Sequence, residues 1–364
     1  DINQAKSIAG SGGLISGNAT IARTRTSGNV LAEIGEAVDI AASSLALTAK
    51  FNALYGTHAN SVNAAVIGGS GAGSDNEVTV STTARISDDA ELYLLRDVLL
   101  SANSNIYTRH MGEAATGAGG GVISGQAVFN QSDVIADSQV DIGERSILVA
   151  GLAGGDYDGK LIARAYTRHE ASEDVTLSTG GAIAGGGVNN VHNATFTNTV
   201  KVGEDAYLSA YGQIGLGTYT LSSTAIEALV STWGAAGVGT ANAQANISSL
   251  QSVSVADGAT LAALGNIDLS AGRDPEGLWQ TRINADSVAH SVVRGIIAVP
   301  DARADSNINN AASVTVEQNA SVLAARNITV GGYNGITSAL ADGEARGYQL
   351  GFIPITSRNS HTNE

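Results

Sequence analysis

A chain of 364 residues is long enough for two or three ordinary domains, yet 45 glycines, three prolines and 4% aromatics leave it without the bulky side chains that fill an ordinary globular core. Acidic residues outnumber basic ones 34 to 19, only four of the latter are lysine, and the net charge of −15 argues against a nucleic-acid surface, which needs clustered cations. The lack of cysteine excludes disulfide scaffolds, thiolate metal sites and a cysteine nucleophile. No apolar run approaches the roughly 18 residues of a membrane-crossing helix, so membrane insertion is not expected.

Along the chain, apolar residues alternate with small or polar ones in short bursts separated by Asp, Asn, Gly or Glu-Asp, the period-two signature of strands joined by tight turns. Six units can be laid out. Their first apolar triplets start near Ala32, Val78, Val140, Val200, Val253 and Val314, and their second triplets lie around Phe51, Val98, Leu161, Ile214, Ile267 and Ile328. In the last three units the inward positions Val202 and Ile214, Val255 and Ile267, and Val316 and Ile328 are each twelve residues apart. In the first three the triplets are 17 to 19 apart, which predicts an insertion at one corner.

A landmark tyrosine follows each second triplet, at Tyr55, Tyr107, Tyr166, Tyr219 and Tyr333, with Gln280 taking the place in the fifth unit. These tyrosines are expected to stack between units as a ladder. After the first unit, return segments of 33 or 34 residues lead to the next triplet. Their middles are glycine-rich, as in GGGVISG at 119–125 and GGAIAGGGV at 180–188. A nearly constant path with variable corners is what a repeat stack requires. Residues 1–364 therefore read as one continuous β-solenoid. The chain opens on Asp1 without a leader pattern and starts and stops at a similar phase of the repeat, so a longer array is expected around it.

The pattern V-x-V-x-x-x-A-x-L-x-A followed by G-N-I-x-L-S-A, seen whole in residues 253–271, resembles the repeats of the filamentous haemagglutinin-like adhesins. These are large exoproteins exported by two-partner secretion. The resemblance covers essentially the whole chain at the level of units. It implies an all-β, right-handed parallel β-helix that forms the shaft of an extracellular or cell-surface fibre supporting attachment or aggregation. The return segments are long for the shortest repeats of that family, so each unit is expected to hold two or three coils.

The candidate chemistry is sparse. Asp and Glu recur at turn phases (Glu36, Asp88, Asp89, Glu144, Glu204, Asp205, Asp257, Glu317), where turn preference explains them better than catalysis. Asp156 and Asp158, in GGDYDG, resemble a calcium loop but lack a later bidentate glutamate; calcium is the one cofactor considered. His110 and His169 share a Tyr-Thr-Arg-His context and would lie near one another in a stack. The GRDPEGLW insertion at 272–279 carries Arg273 and Trp279 and suits either a sugar or fibre contact or a cap on the coil edge. Six Asn-x-Ser/Thr sequons, Asn193 and Asn246 among them, are of the kind that an Asn-, Ser- and Thr-rich chain produces by chance.

The expectation is thus a non-enzymatic structural shaft. Its partners would be neighbouring repeats, further copies through lateral or end-to-end association, and surface glycans or receptors. Two alternatives stand beside it: a filament- or surface-layer-forming protein, and a β-helical carbohydrate-active enzyme or phage tailspike. An enzyme should break the repeat with a local charge cluster, and no such break is visible in the sequence.

Overall fold

A computed structural model describes residues 2–108, 113–151, 159–349 and 359–363. Among these the secondary structure is entirely β, with no helix, and every pairing between named strands is parallel. Partners lie from 52 residues apart (Ile2 with Leu54) to 63 apart (Val98 with Leu161), so the chain makes successive passes, each hydrogen-bonded to the one before. This arrangement is compatible with a β-solenoid. Six short strands, from Asp39–Ala42 to Ser321–Ala324, form one ladder with a single strand per pass. Each sequence unit is therefore one pass, not two or three coils: the 33- to 34-residue return segments are long arms within a single layer.

Two apolar cores lie side by side. One is three-sided and is lined by Ala, Val, Leu and Ile, among them Leu94, Leu100, Ile142, Leu208 and Ile267, with Ser146 taking the place of alanine in the column Ala90–Ser146–Ala206–Ala259. The other fills a flat arm, where the outgoing and returning halves of each pass face one another. In the strand Leu161–Val202, for example, Thr167 donates to Asn198 and Asn190 to the Glu173 carbonyl, across 31 and 17 residues. Alternate residues along both halves are buried, which is why period-two patterning runs on far beyond ordinary strand length.

The corner between the first two sides repeats in every pass. Ala37, Asp89, Arg145, Asp205, Gly258 and Asn319 all occupy the left-handed region, with φ between 53° and 69°. The amide of each of the first five donates to a carbonyl of the next pass, for example Asp89 N to Glu144 O at 2.9 Å, so the turn continues the ladder. The recurring carboxylates serve this corner: Asp88 Oδ1 accepts from the Glu144 amide at 2.9 Å, and Arg145 pairs with Asp89 at 2.8 Å.

The register corrects three expectations. Ala32 pairs with Ala84, and Ala84 with Val140, so the second unit starts at Ala84 instead of Val78. Leu45, not Phe51, opens the second side of the first pass, opposite Val98. With those positions the first two corners match the later ones to within a residue, and only the third pass carries an insertion, between Ala150 and Leu161. Asp156 and Asp158, the calcium candidates, fall in that insertion and lie outside the described residues, as does His110.

The inward positions stack in register: Val202 on Val255 on Val316, and Ile214 on Ile267 on Ile328. The first two of each column are fully buried. Val316 and Ile328, on the last pass of the column, are 39% and 47% exposed. The tyrosine ladder does not form as expected. Tyr166 and Tyr219 stack at 4.8 Å with planes 4° apart, but Tyr55 pairs with Thr108, Tyr107 with Leu54 and Glu170, and Asn103 with Tyr166. Tyr333 sits after the strand Ile328–Gly332, over the guanidinium of Arg273. Similar tetrapeptides are offset in register because the first two passes differ from the third in length.

Candidate functional site

The break in the fifth pass lies on the outer face of the Tyr166–Tyr219 stack. Residues 272–281 leave the sheet at Gly272 (φ 89°) and return at Thr281, whose amide donates to the Gly272 carbonyl at 2.9 Å. Pro275 rests on Gly215 and Gly217, where a Cβ would come within 2.8 and 2.3 Å of its ring, so the floor must be glycine for the loop to dock. Arg273 and Trp279, predicted together as an interaction loop, play different parts. Arg273 is held by Asp268 at 2.6 Å and by the Tyr333 ring, with its guanidinium carbon 4.6 Å from the centroid, which makes it a brace. Trp279 is 53% exposed and forms one wall of a groove of about 440 Å³ whose other sides include Tyr166, Arg168, Glu170, Arg282 and Asn284.

Within this loop Asp274 turns inward and is fully buried, with Arg164 at 3.8 Å and the Leu278 amide at 3.3 Å. Burial pushes its carboxyl up despite the Arg164 charge. Burial, and then the neighbouring Tyr166, likewise push the Tyr219 hydroxyl up. The groove thus has an apolar wall, hydrogen-bonding groups of both signs and a volume within the range of small-ligand sites.

A second cluster sits inside the flat arm and brings together residues of several passes that the sequence does not associate. Glu173 is 4% exposed; its Oε2 accepts from Asn130 Nδ2 at 2.8 Å and lies 3.3 Å from His192 Nδ1. His169 is fully buried beside His192 (ring centroids 5.1 Å) and Phe196 (5.2 Å), with Nδ1 3.1 Å from Ser222 Oγ. Burial, reinforced by His192, drives the His169 pKa well below its ordinary value. For Glu173, burial is the largest influence and pushes upward, but His192 and hydrogen bonds from Ser132 and Asn130 together outweigh it and hold the carboxyl low. Tyr55, also fully buried, is pushed up by burial and by the Glu173 charge. Among the described residues Glu173 Oε1, His169 Nε2 and His192 Nε2 have no hydrogen-bond partner, an unusual concentration of unsatisfied polar atoms for a protein interior.

His169 was singled out in the sequence for its Tyr-Thr-Arg-His context, but its contacts are with His192 and Ser222. The only sequence cue to the rest was polar residues, Glu173, Asn190 and His192, at inward phases of an alternating run. Among the described residues no group of three His, Cys, Asp or Glu is arranged to hold a metal ion, and no helix is long and apolar enough to cross a membrane. The sequons at Asn193 and Asn246 belong to an outer amide column, Asp133–Asn193–Asn246–Asn307, linked at 2.8 Å at each step. No protein-family model matches the chain, and neither comparison with curated proteins nor comparison with solved structures finds a match.

Proposed function

We propose that this chain is a structural shaft: a right-handed parallel β-helix of six irregular passes, serving as part of an extracellular bacterial adhesin or matrix fibre. The observation that carries this reading is the in-register stacking of passes, which extends from the three-sided core to the arm and resumes in register on the far side of the 272–281 loop. Backbone ladders and the fixed left-handed corner recur from level to level, and the amide column ties four successive levels together, as a repeat under tension needs. Right-handed crossing is the sense favoured for parallel strands joined by β-to-β connections. Wide passes distinguish this shaft from the narrowest repeats of the haemagglutinin-like family it resembles. In this reading the Trp279 groove is the place where the shaft meets surface glycans.

Electron microscopy of the purified chain and of a tandem duplicate tests the reading. A pass rises about 4.8 Å, so six passes stand about 30 Å tall, while the roughly 20 residues from Leu161 to the arm tip span about 65 Å. The single chain should be a slab, and the duplicate should be about twice as tall with an unchanged cross-section. Growth in any other direction refutes the shaft, and immunogold label inside the source cell refutes the extracellular placement.

A further inference from the structure

The far edge of the flat arm carries a feature that the shaft reading does not require. Each pass turns there at a pair of residues: Leu14-Ile15, Val66-Ile67, Val122-Ile123, Ala182-Ile183, Ala235-Ala236 and Ile296-Ile297. The second members align in register along the stack. The bend is built on glycine. At Gly121, Gly181, Gly234 and Gly295 a Cβ would lie 1.9 to 2.5 Å from the carbonyl oxygen of the preceding pass, so only glycine permits this close approach. The side chains that follow point outward. Leu14 and Ile15 are 73% and 74% exposed, Ile183 56%, Ile296 60% and Ile297 58%. Where the strand Ile214–Val255 has alanines at its tip, Trp233 and Val238 stand out beside them at 54% and 48%.

A solvent-facing aliphatic ridge of this kind, running through six described tips, needs a cover. Its exposed side chains sum to an area on the order of 800 Å², above the few hundred Å² of an ordinary monomer patch and close to what one partner buries in a standard interface. Charge narrows the occupant. Residues 10–18, 62–72, 118–128, 178–188 and 231–241 contain no charged residue, and the aligned stretch 292–302 carries one of each sign, Arg294 and Asp301. An anionic membrane would require several basic residues flanking the ridge, and these stretches hold Arg294 alone. A second copy of the chain, itself carrying −15, would be repelled at most other surfaces but meets a single carboxylate, Asp301, at this edge.

We infer that the arm-tip ridge is a lateral self-association surface, on which a second copy of this chain packs edge to edge. The two ridges share one spacing of about 4.8 Å per level, so side chains of one copy can seat between levels of the other along the whole height. The inference concerns this surface alone and does not depend on where the fibre resides.

Sedimentation velocity tests it with the wild-type chain and an Ile123→Lys/Ile183→Lys variant, in which both replaced side chains already face solvent. The wild type should sediment as a dimer or higher species with concentration-dependent mass. The variant should be monomeric with unchanged circular dichroism and melting temperature. An Ala236→Lys variant, at a smaller and equally outward position, repeats the test should the first misfold. A wild-type chain that stays monomeric above the micromolar range expected for an interface of this area overturns the inference, and so does association that survives both variants. Flotation of a monomeric wild type with phosphatidylglycerol vesicles, lost in the variant, would reassign the ridge to a lipid surface.

Discussion

Acidification should open the flat arm before it disturbs the three-sided core, and His169 sets where this begins. Its imidazole is wholly buried and neutral, with a pKa held well below 6.5 by burial and by His192. In the unfolded chain the same ring takes up a proton as the pH falls through 6.5. The stability that its neutrality contributes is therefore intact above 6.5 and declines below it, by about 1.4 kcal/mol for each pH unit over which the folded ring stays unprotonated. Glu173 adds to the loss at lower pH: its folded pKa is depressed from 4.5, so its contribution is present above that value and falls away beneath it. The other core is lined by Ala, Val, Leu and Ile with the Ser146 hydroxyl beside them, and none of these side chains titrates in this range. Denaturant titrations from neutral pH to about 5, with amide exchange to locate the opening, read both claims. Replacing His169 by Phe, beside Phe196, should remove about one proton from the slope. Equal slopes in wild type and His169→Phe would refute the argument, as would exchange beginning at Leu208 or Ile142.

Three further outcomes follow from the packing. Ile267→Asp places a carboxylate in a dry column between Ile214 and Ile328 and should cost about 4 kcal/mol or more in urea unfolding; a wild-type midpoint would contradict the register. Gly181→Val forces side-chain atoms against the Gly121 carbonyl and should raise amide exchange at the arm tip while leaving the three-sided core protected. Trp279→Ala should change stability by less than about 0.5 kcal/mol, since the ring is half exposed. In a Trp233→Phe background, saturable quenching of Trp279 by an oligosaccharide is expected, and its absence across neutral and acidic trisaccharides would remove the groove from the functional reading.

The all-β, repeating character and the columns of the last three units were legible because twelve residues separate their inward positions in each. The second unit was misplaced for a physical reason. Val78, Val80, Ala84 and Ile86 all face inward, so a six-residue shift preserves alternation and leaves the pattern unchanged. The corner distinguishes the two, since Ser-Asp-Asp-Ala at 87–90 matches Gly-Glu-Asp-Ala at 203–206. The tyrosines misled because a recurrent Tyr-Thr-Arg-His reads as one position, although the offset between passes differs from 53 at Tyr55–Thr108 to 63 at Asn103–Tyr166. The groove was half visible through Trp279. The Glu173–His192–His169 cluster was not, because it exists only once several passes are superposed.

The breadth of the arm has a mechanical consequence. Hydrogen bonds between passes run along the stacking direction, and between the third and fourth arms they extend from Leu161–Ile214 to Val202–Val255, interrupted only at the tip. Tension along that direction is therefore shared across a wide seam of bonds pulled in parallel. The resistance of such a rod to rupture scales with the perimeter of its cross-section and not with its length. A chain that spends over fifty residues to advance one level gains little reach, but every joint it makes is as wide as the whole pass.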